Sequence, residues 1–492
     1  MSPRLSARIR LTLLFSLLPV PAASSSAAAA GREEAARPAR PPNVLLVLAD
    51  DLGAGDPRAS NPASRIETPS IDRIAREGMR FVDAHSSSAV CSPTRYALLT
   101  GRYAWRSRMK QGVLWGDDGL LIEPSRPTVA DVLRARGYRT ACIGKWHLGL
   151  GSAEKITEVP EDGFDAGAHT VGFDESLLLP ATLDIPPYMY VRDGVPEALP
   201  TEWTEGSRRR WDGGGGFWRS GAMAPGFDFV DCQLRFGREA VRFVEGRADA
   251  PDEPWFLYFP LTAPHTPWVP AERFVGASEA GWYGDFVAEI DWVVGTLLEA
   301  LDRTGQADDT LVIFTSDNGS HWRPRDVRRY GHDANLGWRG MKADIHEGGH
   351  RVPLYVRWPG RVAAGTKSDA LVGLHDLFAT LAEIAGASVP DGAAEDSVSF
   401  LEALRGGRGA RIDLVNHSYD GMFALRSGRW KMIEGLGSGG FTMPARRAAA
   451  PGEPEGQLYD LLEDPAEQRN VWEEHERRVA AMRARLAELR EG

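Results

Sequence analysis

Acidic and basic side chains follow four short apolar segments of the sequence. Each segment is a continuous apolar run, which is typical of a strand buried on both faces of a parallel sheet. Because ligands of open α/β sheets bind beyond the carboxyl ends of the strands, we expect the side chains that follow these segments to meet at one edge. These side chains are Asp50 and Asp51, Lys145 and His147, His265, and Asp317 and Asn318.

Four of these side chains offer oxygen ligands for a metal. They are Asp50, Asp51, Asp317 and Asn318, and oxygen-only sets favour Ca²⁺ or Mg²⁺ over Zn²⁺. Three carboxylates that converge without a cation would also repel one another. The sequence therefore predicts a divalent cation site; the competing interpretation is that these residues only cap adjoining helices.

A cysteine lies where a helix is predicted to start. Ser92 can act as its N-cap, Pro93 suits its first helical position, and Gly101 can end it. Cys91 would then lie just before a helix N-terminus, where backbone N–H groups attract anions, with Arg95 one turn further on the same face. The segment predicts a nucleophile beside an oxyanion site.

The elements that must position these residues alternate along the chain. Apolar runs predict strands at 43–49, 139–143, 254–260 and 310–315, and helical periodicity predicts helices at 69–77, 128–136 and 283–303. This alternation indicates an α/β domain with a mostly parallel sheet covered by helices on both faces. Beyond about residue 400, a predicted hairpin at 422–434 and a final helix indicate a smaller carboxyl-terminal α+β subdomain with an antiparallel sheet.

The first 30 residues have the pattern of a signal peptide. Arg4, Arg8 and Arg10 precede a short apolar run at 11–20, and small residues follow it. The run is too short to span a membrane, and we expect export to the periplasm or the extracellular space without a membrane anchor. The resulting domain prediction is a signal peptide at 1–30, a linker at 31–42, a catalytic domain at 43–400 and a subdomain at 401–492.

Composition excludes two classes of protein. The chain has 492 residues with 57 Lys+Arg against 68 Asp+Glu, a formal charge of −11, so no nucleic-acid partner is expected. Three cysteines are too few for a disulfide scaffold or a Cys-rich zinc module. Cys142 and Cys232 could pair in an oxidising compartment, although we favour two free, buried thiols.

Five ordered blocks of the sequence resemble the sulfatase family, within the alkaline phosphatase-like superfamily. They are C-S-P-T-R at 91–95, G-K-W-H-L-G at 144–149, A-P-H-T-P at 263–267, S-D-N-G at 316–319 and R-G-M-K-A-D-I-H-E-G-G-H-R-V-P at 339–353. The resemblance implies an α/β fold with a large mixed, mostly parallel sheet. It also implies an arylsulfatase-like sulfuric ester hydrolase, and we expect sulfated carbohydrates as its substrates.

The resemblance also implies the chemistry of the site. A maturation enzyme would oxidise Cys91 to Cα-formylglycine, whose hydrated gem-diol attacks the sulfur of a sulfate ester. The modified Cys91 would share a cation, Ca²⁺ or alternatively Mg²⁺, with the four oxygen ligands. The resemblance further implies that Arg95 and Lys145 bind the formylglycine and that Asp317 takes the proton of the attacking hydroxyl. His147 would be the base that lets the aldehyde re-form as sulfate departs. His265 and Lys342 would bind the sulfate and assist the leaving oxygen.

Several alternatives remain open at this stage. The chain could instead be a formylglycine-dependent phosphonate or phosphate ester hydrolase, or a glycan-binding relative in which Cys91 stays unmodified. The insertion at 180–226 could either grip an anionic sugar or be an ordinary surface loop. The residues that would grip the sugar are Trp203, Trp211, Trp218, Arg208, Arg209 and Arg210. His332, His346 and His350 are secondary candidates for substrate contacts. His417 could reach the pocket rim, although we favour a surface position for it.

Overall fold

Long apolar runs form the central sheet of the molecule. This computed structural model describes residues 40–208 and 216–491. The contacts from Pro41 onward form one compact unit. The predicted signal peptide lies outside the described residues, as does most of the predicted linker.

The strands were numbered in chain order. They are β1 (Asn43–Ala49), β2 (Met79–Phe81), β3 (Ala84–His85), β4 (Arg139–Lys145), β5 (Glu175–Leu179), β6 (Val191–Arg192), β7 (Val195–Pro196), β8 (Glu202–Thr204), β9 (Gly221–Met223), β10 (Trp255–Pro260), β11 (Thr310–Ser316), β12 (Leu354–Arg357), β13 (Thr366–Ser368), β14 (Val372–Gly373), β15 (Asp413–His417), β16 (Phe423–Ser427), β17 (Trp430–Ile433) and β18 (Gln457–Asp460). The four strands predicted to carry the site are β1, β4, β10 and β11, and β4 extends two residues beyond its prediction, to Lys145.

The α-helices were numbered in the same way. They are α1 (Pro69–Arg76), α2 (Cys91–Thr100), α3 (Val129–Arg134), α4 (Cys232–Gly246), α5 (Gly281–Arg303), α6 (Pro324–Tyr330), α7 (Glu347–His350), α8 (Asp376–Ile384), α9 (Leu401–Leu404) and α10 (Glu476–Glu491). The predicted helices at 69–77, 128–136 and 283–303 correspond to α1, α3 and α5. Thr128 caps α3 through a capping box with Asp131.

The main sheet is mixed and mostly parallel, as expected. Its strand order is β13-β2-β12-β11-β1-β10-β4-β5-β6-β7. The five central strands, from β11 to β5, are parallel, whereas β12 and β6 pair antiparallel with the strands beside them. Strand β1 is apolar throughout because both of its faces are buried. Val44 and Leu46 pack in one hydrophobic core, and Leu45 and Val47 pack in the other.

Helix α2 begins two residues earlier than the sequence indicated. Cys91 is its first residue and Val90 is its N-cap, with no side-chain capping bond. The predicted capping by Ser92 is wrong because the Ser92 hydroxyl accepts a hydrogen bond from the backbone N–H of Leu114 at 3.1 Å instead. Gly101 ends the helix in the left-handed conformation, as predicted.

The carboxyl-terminal strands form a separate antiparallel sheet. It has the order β15-β16-β17-β18, and α10 packs on it through Met482 and Leu486. This confirms the predicted α+β arrangement, while the boundary at residue 400 stays a prediction. His417 is buried because the end of β15 bridges to Ser88, so the expected surface position is wrong.

The three cysteines, Cys91, Cys142 and Cys232, are all free and buried. This agrees with the favoured interpretation that Cys142 and Cys232 are unpaired structural thiols.

Within the part of the chain that the structure describes, no helix combines the length and apolarity needed to cross a membrane.

A buried lysine joins the carboxyl-terminal sheet to the main domain. Lys431 Nζ on β17 lies 3.0 Å from Glu347 Oε1, 2.8 Å from Glu467 Oε1 and 3.0 Å from His350 Nε2. Although burial opposes ionisation, Lys431 holds the pKa of Glu347 well below its usual range, whereas burial raises the pKa of Glu467 to about 7. The ammonium of Lys431 is therefore the cation shared by the two carboxylates, and Arg351 Nη1 lies 3.2 Å from the second oxygen of Glu347.

Replacing Lys431 with methionine is expected to lower the free energy of unfolding by about 3–5 kcal/mol, because it removes the buried cation that Glu347 and Glu467 share. Urea denaturation would measure the loss. The exposed Lys367 on β13 provides the control, and Lys367→Met should stay within about 0.5 kcal/mol of the wild type. Equal effects of the two substitutions would contradict a structural role for the buried ammonium.

Candidate metal centre and active site

Four adjacent strands deliver the predicted residues to one edge of the sheet. Strands β11, β1, β10 and β4 are neighbours in that order, and in-register pairing places Ser316 beside Ala49 and Pro260 beside Leu48. The residues that follow each strand therefore emerge together. The expected meeting of the four polar segments is found.

The end of β4 depends on a glycine. Gly144 has φ = +133°, and a Cβ atom there would lie 1.9 Å from the carbonyl oxygen of Pro260 on β10. Only glycine tolerates both this backbone conformation and this close approach. The close approach of β4 and β10 brings Lys145, the last residue of β4, into contact with the residues that follow β1.

Lysine and arginine side chains pair with the carboxylates. Lys145 Nζ donates to Asp50 Oδ2 at 2.6 Å, and Lys342 Nζ donates to Asp51 Oδ2 at 2.8 Å. Arg95 on α2 donates to Asp317 Oδ2 through Nε at 3.0 Å and through Nη2 at 2.8 Å. Three acids and three cations thus form one buried cluster, which the sequence predicted as a set of residues but not as pairs.

Two buried oxygens in this cluster fit a metal ion. Asp50 Oδ1 and Asn318 Oδ1 are inaccessible to solvent and have no hydrogen-bond partner among the described residues. Unpaired buried oxygens are costly, and carboxylate and amide oxygens are the preferred ligands of Ca²⁺. Ligand atoms of Asp50, Asp51 and His265 also lie within 4.8 Å of one another. The donor set fits the divalent cation predicted from the sequence.

The electrostatics of the acids reflect their neighbours. Burial disfavours the charge of Asp51, but Lys342, through its charge and its hydrogen bond, outweighs burial and holds the pKa of Asp51 well below the usual range. For Asp317, burial and the nearby Asp50 outweigh Arg95 and raise the pKa to about 6. An added cation would favour the ionised form of every carboxylate here.

Two histidines reach the site from neighbouring strands. His147 Nε2 lies 2.8 Å from the carbonyl oxygen of Leu114, so it donates there, and its buried Nδ1 has no partner among the described residues. His265 Nδ1 lies 2.6 Å from the carbonyl oxygen of Thr266, and its Nε2 lies 3.8 Å from Asp51 Oδ2. Burial and nearby lysines lower the pKa of His265 to about 4 and that of His147 well below its usual value, so both rings are neutral.

Cys91 lines the same pocket as His147, His265, Lys342 and Asp51. Burial raises the pKa of the Cys91 thiol despite the nearby lysines. Because the thiolate is the nucleophilic form of cysteine, the unmodified side chain is a poor nucleophile in this position. Its location at the start of α2, beside the acid–cation cluster, agrees with the site predicted from the sequence.

The pocket above the cluster has a volume of about 340 Å³, and several of its residues were missed by sequence reasoning. The insertion at 180–226 contributes Asp184 and Arg219, whereas its Trp203, Arg208 and Trp218 are absent from the lining that the structure describes. Trp211, Arg209 and Arg210 lie outside the described residues. The missed residues at the pocket rim are Trp115, Asp184, Phe217, Arg219, Tyr419 and Phe441.

The secondary histidine candidates lie elsewhere. His332 Nε2 is 2.8 Å from Asp56 Oδ1, and His346 Nε2 is 3.1 Å from Gln457 Oε1. His350 belongs to the cluster around Lys431. None of the three is part of the described lining of the pocket, so proximity to Lys342 in the sequence did not predict substrate contact.

Comparisons with known proteins agree with the motif assignment. The Sulfatase family model matches residues 42–387. The chain is 31% identical to an N-acetylgalactosamine-6-O-sulfatase of Bacteroides thetaiotaomicron over 94% of this chain and 96% of that protein. It is 35% identical to human arylsulfatase A over 88% and 84% of the two chains. A solved Bacteroides thetaiotaomicron structure, described under the metabolism of multiple glycosaminoglycans, superposes with a TM-score of 0.82 at 31% identity, covering 92% of this chain and 100% of that one.

Proposed function

This chain belongs to the sulfatase family of sulfuric ester hydrolases, and we propose that it cleaves sulfate esters of carbohydrates with Cys91 converted to Cα-formylglycine. The observation that carries the proposal is the cluster itself: Cys91 lies beside three buried carboxylates and three cationic side chains, at the sheet edge where β11, β1, β10 and β4 end. A binding module that never acquires formylglycine would have no need of this arrangement.

The proposed substrate is a sulfated amino sugar, with N-acetylgalactosamine-6-sulfate as the first candidate. The similarity to an N-acetylgalactosamine-6-O-sulfatase over nearly the whole of both chains supports it. Exposed aromatic rings at the pocket rim, Trp115, Tyr419 and Phe441, also favour a sugar, because sugar rings pack on aromatic faces.

Asp50, Asp51, Asp317 and Asn318 would hold a divalent cation together with the oxidised Cys91; we propose Ca²⁺, with Mg²⁺ as the alternative. When bound, the cation supplies a Lewis acid, and formylglycine supplies the hydroxyl of a hydrated aldehyde as the nucleophile. The fit rests on the two unpaired oxygens of Asp50 and Asn318.

The cationic side chains bind and orient the reacting groups. Although burial opposes its charge, Asp51 raises the pKa of Lys342, so its ammonium stays protonated and can donate to a sulfuryl oxygen or to the leaving oxygen. Arg95 is fixed by Asp317 and by the carbonyl oxygen of Lys145 at 2.8 Å, which orients both residues.

The histidines hold or accept protons at defined atoms. His147 is a neutral ring whose Nε2–H is engaged by Leu114, so Nδ1 is the atom that can accept a proton as a general base. His265 donates from Nδ1 to Thr266, which leaves Nε2 directed at Asp51 and available to the substrate. Hydrogen positions here follow from the partners of each nitrogen.

A substrate comparison tests the reaction class. One preparation would be assayed with 4-nitrophenyl sulfate, N-acetylgalactosamine-6-sulfate and an aryl phosphonate. We expect hydrolysis of both sulfate esters and much weaker cleavage of the phosphonate. Strong phosphonate cleavage with negligible sulfatase activity would instead establish the phosphonate hydrolase alternative.

Mass spectrometry tests the modification. In protein produced together with a formylglycine-generating enzyme, we expect tryptic peptide 81–95 to carry an aldehyde at Cys91 and to be lighter than the thiol form. The same protein made without that enzyme should retain the thiol and lack activity. An intact thiol in fully active protein would refute the proposed nucleophile.

We also propose export to the periplasm or the extracellular space. The support is the arginine-rich start, the short apolar run at 11–20 and the small residues that follow it. Detection of the mature protein in the periplasmic or culture fraction, with its amino terminus beyond the apolar run, would test this.

A further inference from the structure

The rim of the pocket contains a charged pair that the proposed chemistry does not use. Asp184 and Arg219 both come from the insertion between β5 and α4, and both line the pocket together with Cys91 and His265. Arg219 Nη1 donates to Asp184 Oδ2 at 2.5 Å and to the Asp184 backbone oxygen at 2.9 Å. The two residues therefore form one rigid unit at the entrance to the site.

One oxygen of this pair lacks a partner. Only 8% of the Asp184 side chain is exposed, and its Oδ1 is buried without a hydrogen bond among the described residues. His265 Nδ1 lies 3.8 Å from this oxygen, but that atom donates to the carbonyl oxygen of Thr266 at 2.6 Å. A buried carboxylate oxygen without a donor is costly, so a ligand hydroxyl would relieve it.

Donors lie beside this acceptor. The described hydrogen bonds of the Arg219 guanidinium both come from Nη1, so N–H groups of Nε and Nη2 remain for a ligand. The guanidinium is also held in place by aromatic rings, since its central carbon lies 5.1 Å from the ring centroids of both Trp115 and Phe217. Its orientation is fixed before any substrate binds.

An acceptor and a donor held side by side next to aromatic faces match two hydroxyls on one sugar ring. One sugar hydroxyl can donate to Asp184 Oδ1, and the hydroxyl on the adjacent ring carbon can accept from an N–H group of Arg219. A flat aryl sulfate carries no such hydroxyls. We propose that Asp184 and Arg219 bind ring hydroxyls of the sugar that carries the sulfate, and so select sugar sulfates over aryl sulfates. This inference rests on the proposed sulfatase activity.

A different role for Asp184 would have a different signature. At 3.8 Å from His265, it could act only by positioning that ring. Loss of positioning would slow every sulfate ester alike, because His265 lies at the reacting end of the pocket. Loss of a hydroxyl contact would slow sugar sulfates alone.

The test compares two substrates on Asp184→Asn. We expect kcat/KM for N-acetylgalactosamine-6-sulfate to fall about 10- to 100-fold, as for a lost hydrogen bond to a charged group, and kcat/KM for 4-nitrophenyl sulfate to be nearly unchanged. Glu202→Gln is the matched control, because Glu202 is an exposed acid of the same insertion and should affect neither substrate. An equal fall for both substrates, or no fall for either, would overturn the inference.

Deoxy sugars make the test independent of folding defects. We would assay a series of 6-sulfated sugars, each lacking one ring hydroxyl. With the wild type, one of them should have a kcat/KM about 10- to 100-fold below that of the complete sugar. With Asp184→Asn, removing that same hydroxyl should cause no further fall in kcat/KM. If no ring hydroxyl is coupled in this way to Asp184→Asn, the inference is also overturned. Wild-type cleavage of the sugars without a selective loss in Asp184→Asn would refute this inference alone. Cleavage of the aryl sulfate but of none of the sugars would also refute the proposed carbohydrate substrate, and cleavage of neither ester class would refute the proposed sulfatase activity.

Discussion

Replacing Cys91 with alanine is expected to reduce kcat/KM for any sulfate ester by roughly 10⁴-fold or more. The substitution removes the side chain that is proposed to become formylglycine, and losing a nucleophile leaves only the binding and electrostatic contributions of the site. Steady-state assays with 4-nitrophenyl sulfate at high enzyme concentration would measure the residual rate. The change is small in volume, so folding should be nearly unaffected.

Cys142 provides the matched control. It is a second buried, free cysteine, on β4, and its side chain belongs to an apolar core. Cys142→Ala should keep near-wild-type activity while losing about 1 kcal/mol of stability at most. If both alanine variants were inactive although folded, or both were active, Cys91 would not be the nucleophile.

Removing divalent cations is expected to reduce kcat/KM by roughly 10³-fold or more, and Ca²⁺ should restore it. The loss follows because metal ions contribute several kcal/mol of charge stabilisation in such sites. A readout independent of turnover is the melting temperature, which should rise with Ca²⁺ because the ion binds the folded site: at 100 times its dissociation constant the gain is about 2.7 kcal/mol.

Two variants make the assignment specific. Asp50→Asn weakens a proposed ligand whose Oδ1 is unpaired in the cluster, and it should diminish the shift in melting temperature caused by Ca²⁺. Asp308→Asn, at an exposed position beyond α5, should respond to Ca²⁺ like the wild type. Full activity in exhaustively demetallated protein, or an undiminished shift in Asp50→Asn, would refute the proposed ligand set.

The sequence by itself determined the fold class and the members of the central cluster. The strands β1 and β11 are continuous apolar runs that end in acids, and this pattern has one physical cause, burial on both faces of a parallel sheet. Since parallel strands share an edge, Asp50 and Asp317 had to lie close together. The motif around Cys91 then indicated the chemistry.

The tertiary structure alone decided which groups contact one another. Asp184 and Arg219 meet from positions 35 residues apart in an insertion without periodicity, and no local pattern marks either as a pocket residue. Lys431 reaches Glu347 across 84 residues of sequence. Such pairs depend on the paths of loops and on packing between elements, which propensity and hydrophobic period do not encode. Local rules therefore predicted the reacting centre, and only the fold revealed the rim that would distinguish one sulfate ester from another.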